Sequence, residues 1–168
     1  MPELLQQIKN KQFEVYEASG LTISNFTQEQ EGQEYYANTC LVNNKNAIFR
    51  VAKKTPTKTG YFVAIWKRNK DKITAPYDKS DLVDFIIICI INGNRIGQFI
   101  FPKSVLIKNK IMSVNDIGGK RGIRVYSPWD DVNSAQAIKT QKWQIEYFVE
   151  LTSNNTDILR TIKNLYTT

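Results

Sequence analysis

Four residues have the types and spacing to do chemistry together: Asp81, Asp84, Lys67 and Lys103. Asp84 stands directly before FIIICII (Phe85–Ile91), a run that reads as a central strand. A carboxylate at the mouth of such a strand, with lysines beside it, is how sheet-based nucleases hold Mg²⁺ and steady the attacked phosphate. In that pattern the next strand supplies an acidic residue and, two positions on, a lysine. Here the next strand offers Gln98 and Ile100, and Glu34 is the other carboxylate that could complete the pair. The competing structural reading is a salt bridge from Asp84 to Lys103 or Arg68. The chain has no histidine, which excludes Ser-His-Asp and Cys-His nucleophiles, an imidazole base and a His-ligated zinc. Any catalysis must therefore use carboxylates, Lys, Tyr or a hard metal on oxygen ligands.

Charge gives a second line of inference. Arg50 to Lys72 contains eight basic residues and one acid, Asp71. Taking these from the chain's 23 basic and 16 acidic residues leaves fifteen of each, so this one segment carries the net charge of +7. Its charges bracket Tyr61, Phe62 and Trp66. A second concentration runs RGIRVYSPW over Arg121–Trp129, and a third KTQKWQ over Lys139–Gln144. Basic side chains neutralise phosphates, Gln and Thr bond to phosphates or base edges, and aromatic rings stack on unpaired bases. Taken singly, Trp129 and Trp143 are ordinary core residues and exposed lysines are an ordinary solvated face. Together the three segments predict a nucleic-acid surface of Lys53, Lys54, Lys58, Trp66, Lys67, Arg68, Lys103, Arg121, Arg124, Lys139 and Gln141, with DNA the expected partner. Only the nuclease alternative requires a cofactor, Mg²⁺ on Asp81 and Asp84. A third reading is a pocket for a small anionic or aromatic ligand lined by Trp66, Tyr126 and Trp129. Gly118–Gly122 (GGKRG) lacks the strand-then-helix context of a phosphate loop and is expected to be a mobile basic loop.

The elements that must position these groups follow from length and pattern. The 168 residues suit one domain over 1–168 with a substantial core. No apolar run reaches the roughly 20 residues of a membrane span, and no apolar leader opens the sequence. A cytoplasmic protein is expected, with Cys40 and Cys89 as buried free thiols. Glu3–Ser19 predicts a helix with Pro2 in its first turn and Gly20 at its C-terminal cap. Leu21–Phe26 predicts a strand and Thr27–Gln33 an acidic loop. Tyr35–Val42 and Ala47–Val51 predict a hairpin joined by the four residues Asn43–Asn46.

Tyr61–Lys67 and Phe85–Ile91 are apolar on both faces, so both should be covered on both sides. The first is expected to run antiparallel beside the second. With Gly93-Asn94 at the turn, Cys89 should face Gln98, Ile91 should face Ile96, and Asp84 should meet Lys103 just beyond Pro102, where the strand ends. Lys103–Ile107 predicts a helical turn, Ile123–Tyr126 a strand, and Ser134–Lys142 a helix. Trp143–Leu151 alternates like a strand, and a last helix starts at Asn155 or Thr156. The sum is an α+β fold, a mostly antiparallel central sheet flanked by helices.

The blocks KTPTKTGYFVAIWKR, DKSDLVDF, GQFIFPKSVL, GKRGIRVYSPWD and AIKTQKWQ, in that order, resemble those of the MepB family of bacterial proteins. The resemblance runs from Glu34 to Phe148. It implies a small cytoplasmic protein with a restriction-endonuclease-like core and nucleic-acid binding. Some members are encoded beside a multidrug efflux pump and its repressor, which implies a link to drug response for the small-ligand reading. The missing acidic-x-Lys pair at Gln98 and Ile100 makes the implied role binding rather than cleavage.

Overall fold

The structure, a computed structural model, describes residues 3–167; the expected contribution of Pro2 lies outside them. Helix α1 (Glu3–Ala18) ends where expected. Gly20 takes φ +80°, its N–H bonds to the Glu17 carbonyl and that of Leu21 to the Tyr16 carbonyl, the paired bonds of a Schellman cap. Strands β1 (Ile23–Gln28), β2 (Asn38–Val42) and β3 (Lys45–Val51) follow. β1 starts and ends two residues later than the alternation predicts, and its pairing with β2 slips between Ser24 and Thr27, where Asn25 has φ +53°. The β2–β3 connection is two residues rather than four. Asn43 and Asn44 both adopt positive φ (48° and 65°), the type I′ geometry that matches strand twist, so Lys45 and Asn46 join the ladder.

The chain then leaves this sheet. β4 (Lys53–Lys54) and β5 (Tyr61–Ala64) pair with β10 (Gly122–Val125) in a separate three-stranded sheet. β6 (Lys67–Arg68) and β7 (Thr74–Ala75) form a small ribbon. β8 (Phe85–Asn92) and β9 (Arg95–Pro102) return to the large sheet, whose order is β1-β2-β3-β8-β9-β11 with β11 at Phe148–Glu150. The β8–β9 register is the one predicted, Ile91 opposite Ile96 and Cys89 opposite Gln98. The position of Tyr61–Lys67 is not. β8 is flanked on its other edge by β3, in parallel, and β5 lies in the other sheet. β5's apolar double face is explained by different covers: Tyr61, Val63 and Ile65 enter the core, while Phe62, Ala64 and Trp66 are half-buried under side chains and loops.

Layers follow from β8's alternation. Phe85, Ile87 and Cys89 pack with Leu5, Ile8 and Tyr16 of α1 and with Ile162 and Tyr166 of α4 (Thr156–Thr167). Ile86, Ile88 and Ile90 pack against Tyr61, Val63, Ile123 and Val125 of the small sheet and Leu106 of α2 (Lys103–Lys108). Phe85 to Ile90 are each at most 2% exposed, the double burial that the β-branched run requires. The α+β architecture therefore stands, with a mixed, mainly antiparallel sheet between a helical layer and a second β layer. Ser134 caps α3 (Ala135–Gln144) by accepting from the Ala137 N–H at 3.1 Å. Asn155 caps α4 through the Asp157 and Ile158 N–H groups. The strand expected over Trp143–Leu151 shrinks to Phe148–Glu150. Trp143 and Gln144 finish α3, and a 3₁₀ turn occupies Ile145–Tyr147.

Both cysteines are free and buried, and burial pushes each thiol up to about 12. Beside Cys89 a polar chain crosses the helical core. The Tyr16 hydroxyl donates to Gln98 Oε1 at 2.6 Å and also meets the Tyr166 hydroxyl. Gln98 Nε2 in turn donates to Gln12 at 2.9 Å and to Cys89 Sγ at 3.2 Å. Gln98, which stands where a nuclease would carry an acid, is thus committed to packing α1 on the sheet.

Candidate nucleic-acid interface

The cluster expected around Asp84 assembles in part, by a different route. Lys67 reaches it along the β6 ribbon and pairs with Asp81 at 2.7 Å. Lys103 Nζ donates to the Asp81 carbonyl at 2.7 Å, and its backbone N–H donates to the Asp84 carbonyl at 2.9 Å. The carboxylates, however, serve separate backbone groups. Asp81 also accepts the Asp78 N–H (2.7 Å), and Asp84 Oδ2 accepts the Asn46 N–H (2.8 Å). Asp84 forms neither of its expected salt bridges: Arg68 is taken by Glu31, and Lys103 by Asp81. Among the described residues no group of three or more carboxylate or thiol side chains gathers as a metal would need. Asp78, buried, accepts from the Ser113 and Ser80 hydroxyls and the Ser80 and Asp116 N–H groups, which hold its carboxyl well below the usual carboxylate range.

The basic run divides into two regions of opposite character. In a cleft of about 410 Å³ between β3 and β5, every cation is paired. Arg50, 4% exposed, meets Glu29; Lys67 meets Asp81; Arg68 takes Glu31 at 2.8 Å while lying 5.2 Å over the Trp66 ring. On the rim of the small sheet Lys53 contacts Glu34 (3.9 Å) and the Tyr35 ring, and Lys54 is exposed.

The other region is a groove of about 570 Å³ where β5, β10 and α3 meet. Its cations are Lys58, Lys120 and Arg124, its rings Phe62, Tyr126 and Trp143, and no carboxylate lines it. Lys58 and Lys120 have no ion-pair partner among the described residues. Arg124 donates to the Thr59 carbonyl (3.2 Å) and the Thr55 hydroxyl (2.7 Å), fixing the loop that carries Lys58. Gln144, buried, clamps α3 to β10 by accepting from Tyr126 N–H (2.7 Å) and donating to the Arg124 carbonyl (3.0 Å). Two glycines make room for the rings. A Cβ on Gly122 would come 2.6 Å from the Phe62 ring, and one on Gly60, at φ +85°, 2.6 Å from the Tyr126 ring. Lys139 is exposed on α3, one helical turn from both Gln136 and Trp143, and so borders the groove.

The remaining predicted residues hold structure. Arg121 donates to the Thr74 carbonyl at 3.1 and 3.2 Å, and Gly119 lies against Pro76, so the loop expected to be mobile is tied down at both points. Gln141 bridges the Ser127 and Asp130 carbonyls at 2.9 and 3.0 Å. The Trp66, Tyr126 and Trp129 pocket is not assembled. Trp66 faces the paired cleft, Tyr126 the groove, and Trp129 packs edge-on against Phe148 with Arg95 4.0 Å over its face. Sequence reading left Lys120 out of the predicted surface, although it lies in the basic glycine loop, and it placed Gln144 in a candidate contact segment, whereas Gln144 is buried as the clamp between α3 and β10.

Fold and site together define a layered α+β protein with one neutralised cleft and one open basic, aromatic groove. The MepB-like family model matches residues 29–150, and the chain belongs to that family. A solved structure, "Crystal Structure of MepB", is similar with a TM-score of 0.76 and 32% identity, over 93% of this chain and 100% of that one. No curated protein matches.

Proposed function

We propose that this protein binds nucleic acid, with DNA as the expected partner, through the groove of Lys58, Lys120, Arg124, Phe62, Tyr126 and Trp143. The observation that carries this reading is the conjunction of unpaired lysines and aromatic rings in one groove free of carboxylates. Phosphates need the cations and unpaired bases need the rings; a groove offering both, with no like-charged wall, suits a strand whose bases are turned toward the protein. Lys139 extends the basic border along α3. The separate engagements of Asp81 and Asp84 favour binding over Mg²⁺-dependent cleavage. Among the described residues no helix is long and apolar enough to cross a membrane. A cytoplasmic location goes with this reading, since buried free thiols suit a reducing compartment.

The test is a mobility or anisotropy titration against single- and double-stranded DNA and RNA, with and without Mg²⁺. Salt-sensitive complexes without cleavage are expected. Failure to bind any of the four at 50 mM salt overturns the reading, and cleavage requiring Mg²⁺ replaces it with a nuclease.

A further inference from the structure

The cleft beside the groove holds a basic site already filled by acid from its own chain. Glu29 and Glu31 sit two residues apart on the bend that follows β1. Each is seated on an arginine of a different element, Glu29 on the buried Arg50 of β3 and Glu31 on Arg68 of β6. Two residues of backbone span at most about 7 Å, so the two side chains leave one short stretch of chain to reach arginines of two elements. The bend is anchored at its ends, Glu29 N–H to the Ala37 carbonyl and Ala37 N–H to the Gly32 carbonyl, with Gln33 Nε2 donating back to the Glu29 carbonyl, while Gln30 and Glu31 lie outside any strand or helix. Withdrawing the two carboxylates would leave Arg50 and Arg68 facing the same cavity as Trp66 and Tyr77.

The cleft and the groove lie along one side of the same strand. Phe62, Ala64 and Trp66 alternate along one side of β5 and its extension, where Ile65 N–H still bonds to the Arg121 carbonyl (2.8 Å). Phe62 lines the groove, whereas Ala64 and Trp66 line the cleft. At about 3.3 Å per residue, Phe62 to Trp66 covers roughly 13 Å.

We infer that the Arg50–Arg68 cleft is a second phosphate site for the strand held in the groove, with the Glu29 and Glu31 carboxylates occupying the places of phosphates until the strand displaces them. This rests on the nucleic-acid reading of the groove. Hydrogen bonding to Arg68 lowers the Glu31 carboxyl below its ordinary value, and like any glutamate at neutral pH it competes as an anion. A strand too short to reach the cleft leaves the Glu29–Glu31 strap in place, whereas a longer one must displace the two carboxylates before it gains the two cationic contacts.

The experiment titrates the full chain with a labelled single-stranded oligonucleotide over a salt series, comparing wild type, Glu31→Gln and Glu29→Gln/Glu31→Gln. The salt slope should steepen by about 0.7 in the single variant and about 1.4 in the double, so the loss of affinity between 50 and 200 mM salt grows about sevenfold in the latter. Arg68→Ala in the Glu31→Gln background should return the slope to the wild-type value. Glu29→Gln leaves Arg50 without its partner and can compromise folding; Glu31→Gln, at an exposed pair, keeps the test decisive. If Glu31→Gln and wild type share one slope while Lys58→Ala/Lys120→Ala weakens both, the strap is refuted and the groove stands. Binding by the double variant alone refutes the groove and supports the cleft. If neither variant nor wild type binds, both readings fall. Inorganic pyrophosphate that abolishes the variants' added affinity at stoichiometric levels would overturn the strand assignment in favour of free phosphate.

Discussion

Replacing Lys58 and Lys120 with alanine should flatten the salt dependence of binding without disturbing the fold. The groove presents three cations, Lys58, Lys120 and Arg124. If each neutralises one phosphate of a single strand, the slope of log K on log salt is about −2.1. Raising salt from 50 to 200 mM would then weaken the wild type by about 18-fold. With Arg124 alone left, the slope becomes about −0.7 and the same change costs only about 2.6-fold. Both lysines are exposed and lack ion-pair partners among the described residues, so the melting transition should stay within about 0.5 kcal/mol of wild type. Lys54→Ala serves as the control, because Lys54 is also exposed but lies outside the groove. Anisotropy of a labelled oligonucleotide, read at five or six salt concentrations, measures the slopes. A double variant that binds with the wild-type slope, or a Lys54 variant that changes it as much, would refute the assignment of phosphates to this groove.

Other expectations test the framework. Asp84→Asn weakens the acceptor for the Asn46 N–H and should cost about 1 kcal/mol in thermal unfolding. Mg²⁺ should leave the wild-type Tm unchanged, and a Mg²⁺-dependent rise lost in the variant would restore a metal role to Asp84. Gly60→Ala places a methyl against the Tyr126 ring and the Val125 carbonyl at positive φ, so it should destabilise by about 2–3 kcal/mol and weaken binding as Tyr126 shifts. The depressed carboxyl of Asp78 contributes stability that is present above about pH 4 and lost as pH falls through its lower folded value; Asp78→Asn should flatten that acid limb in a pH series of denaturant melts. Neither cysteine should react with a thiol reagent at pH 8 until the chain unfolds, after which both should.

What the sequence disclosed of the fold was whatever short-range pattern enforces. Gly20, Ser134 and Asn155 act within a few residues of themselves, so the helix ends were legible. The β8–β9 register was legible because Gly93-Asn94 turns tightly and one residue of slip would exchange the surroundings of Phe99 and Gln98. The partner of β8's far edge was not, because β3 and β8 are parallel and 38 residues apart in register, with Ala47 opposite Phe85. Nothing local distinguishes that pairing from a neighbour supplied by the intervening Tyr61–Lys67. The alternation of β5 signals cover on both sides, and cover by a second sheet leaves the same signal as cover within the first.

The site shows the same division between composition and placement. Counting charges located the basic segment but treated its lysines and arginines alike, whereas in the fold their value depends on the acids that arrive from elsewhere. Glu29 and Glu31 lie some twenty to forty residues before Arg50 and Arg68, in a stretch whose sequence reads as an acidic loop with nothing to say which cations it meets. They neutralise Arg50 and Arg68, and Asp81 neutralises Lys67. Lys58 gains its importance by the reverse process, since β10 and α3 bring it Lys120, Arg124, Tyr126 and Trp143 but no carboxylate. An exposed cation far from any acid retains its field and is cheap to pair with a phosphate; one already bonded to a carboxylate must first give up that bond. The groove can therefore take a strand as it stands, while the cleft can do so only by exchange.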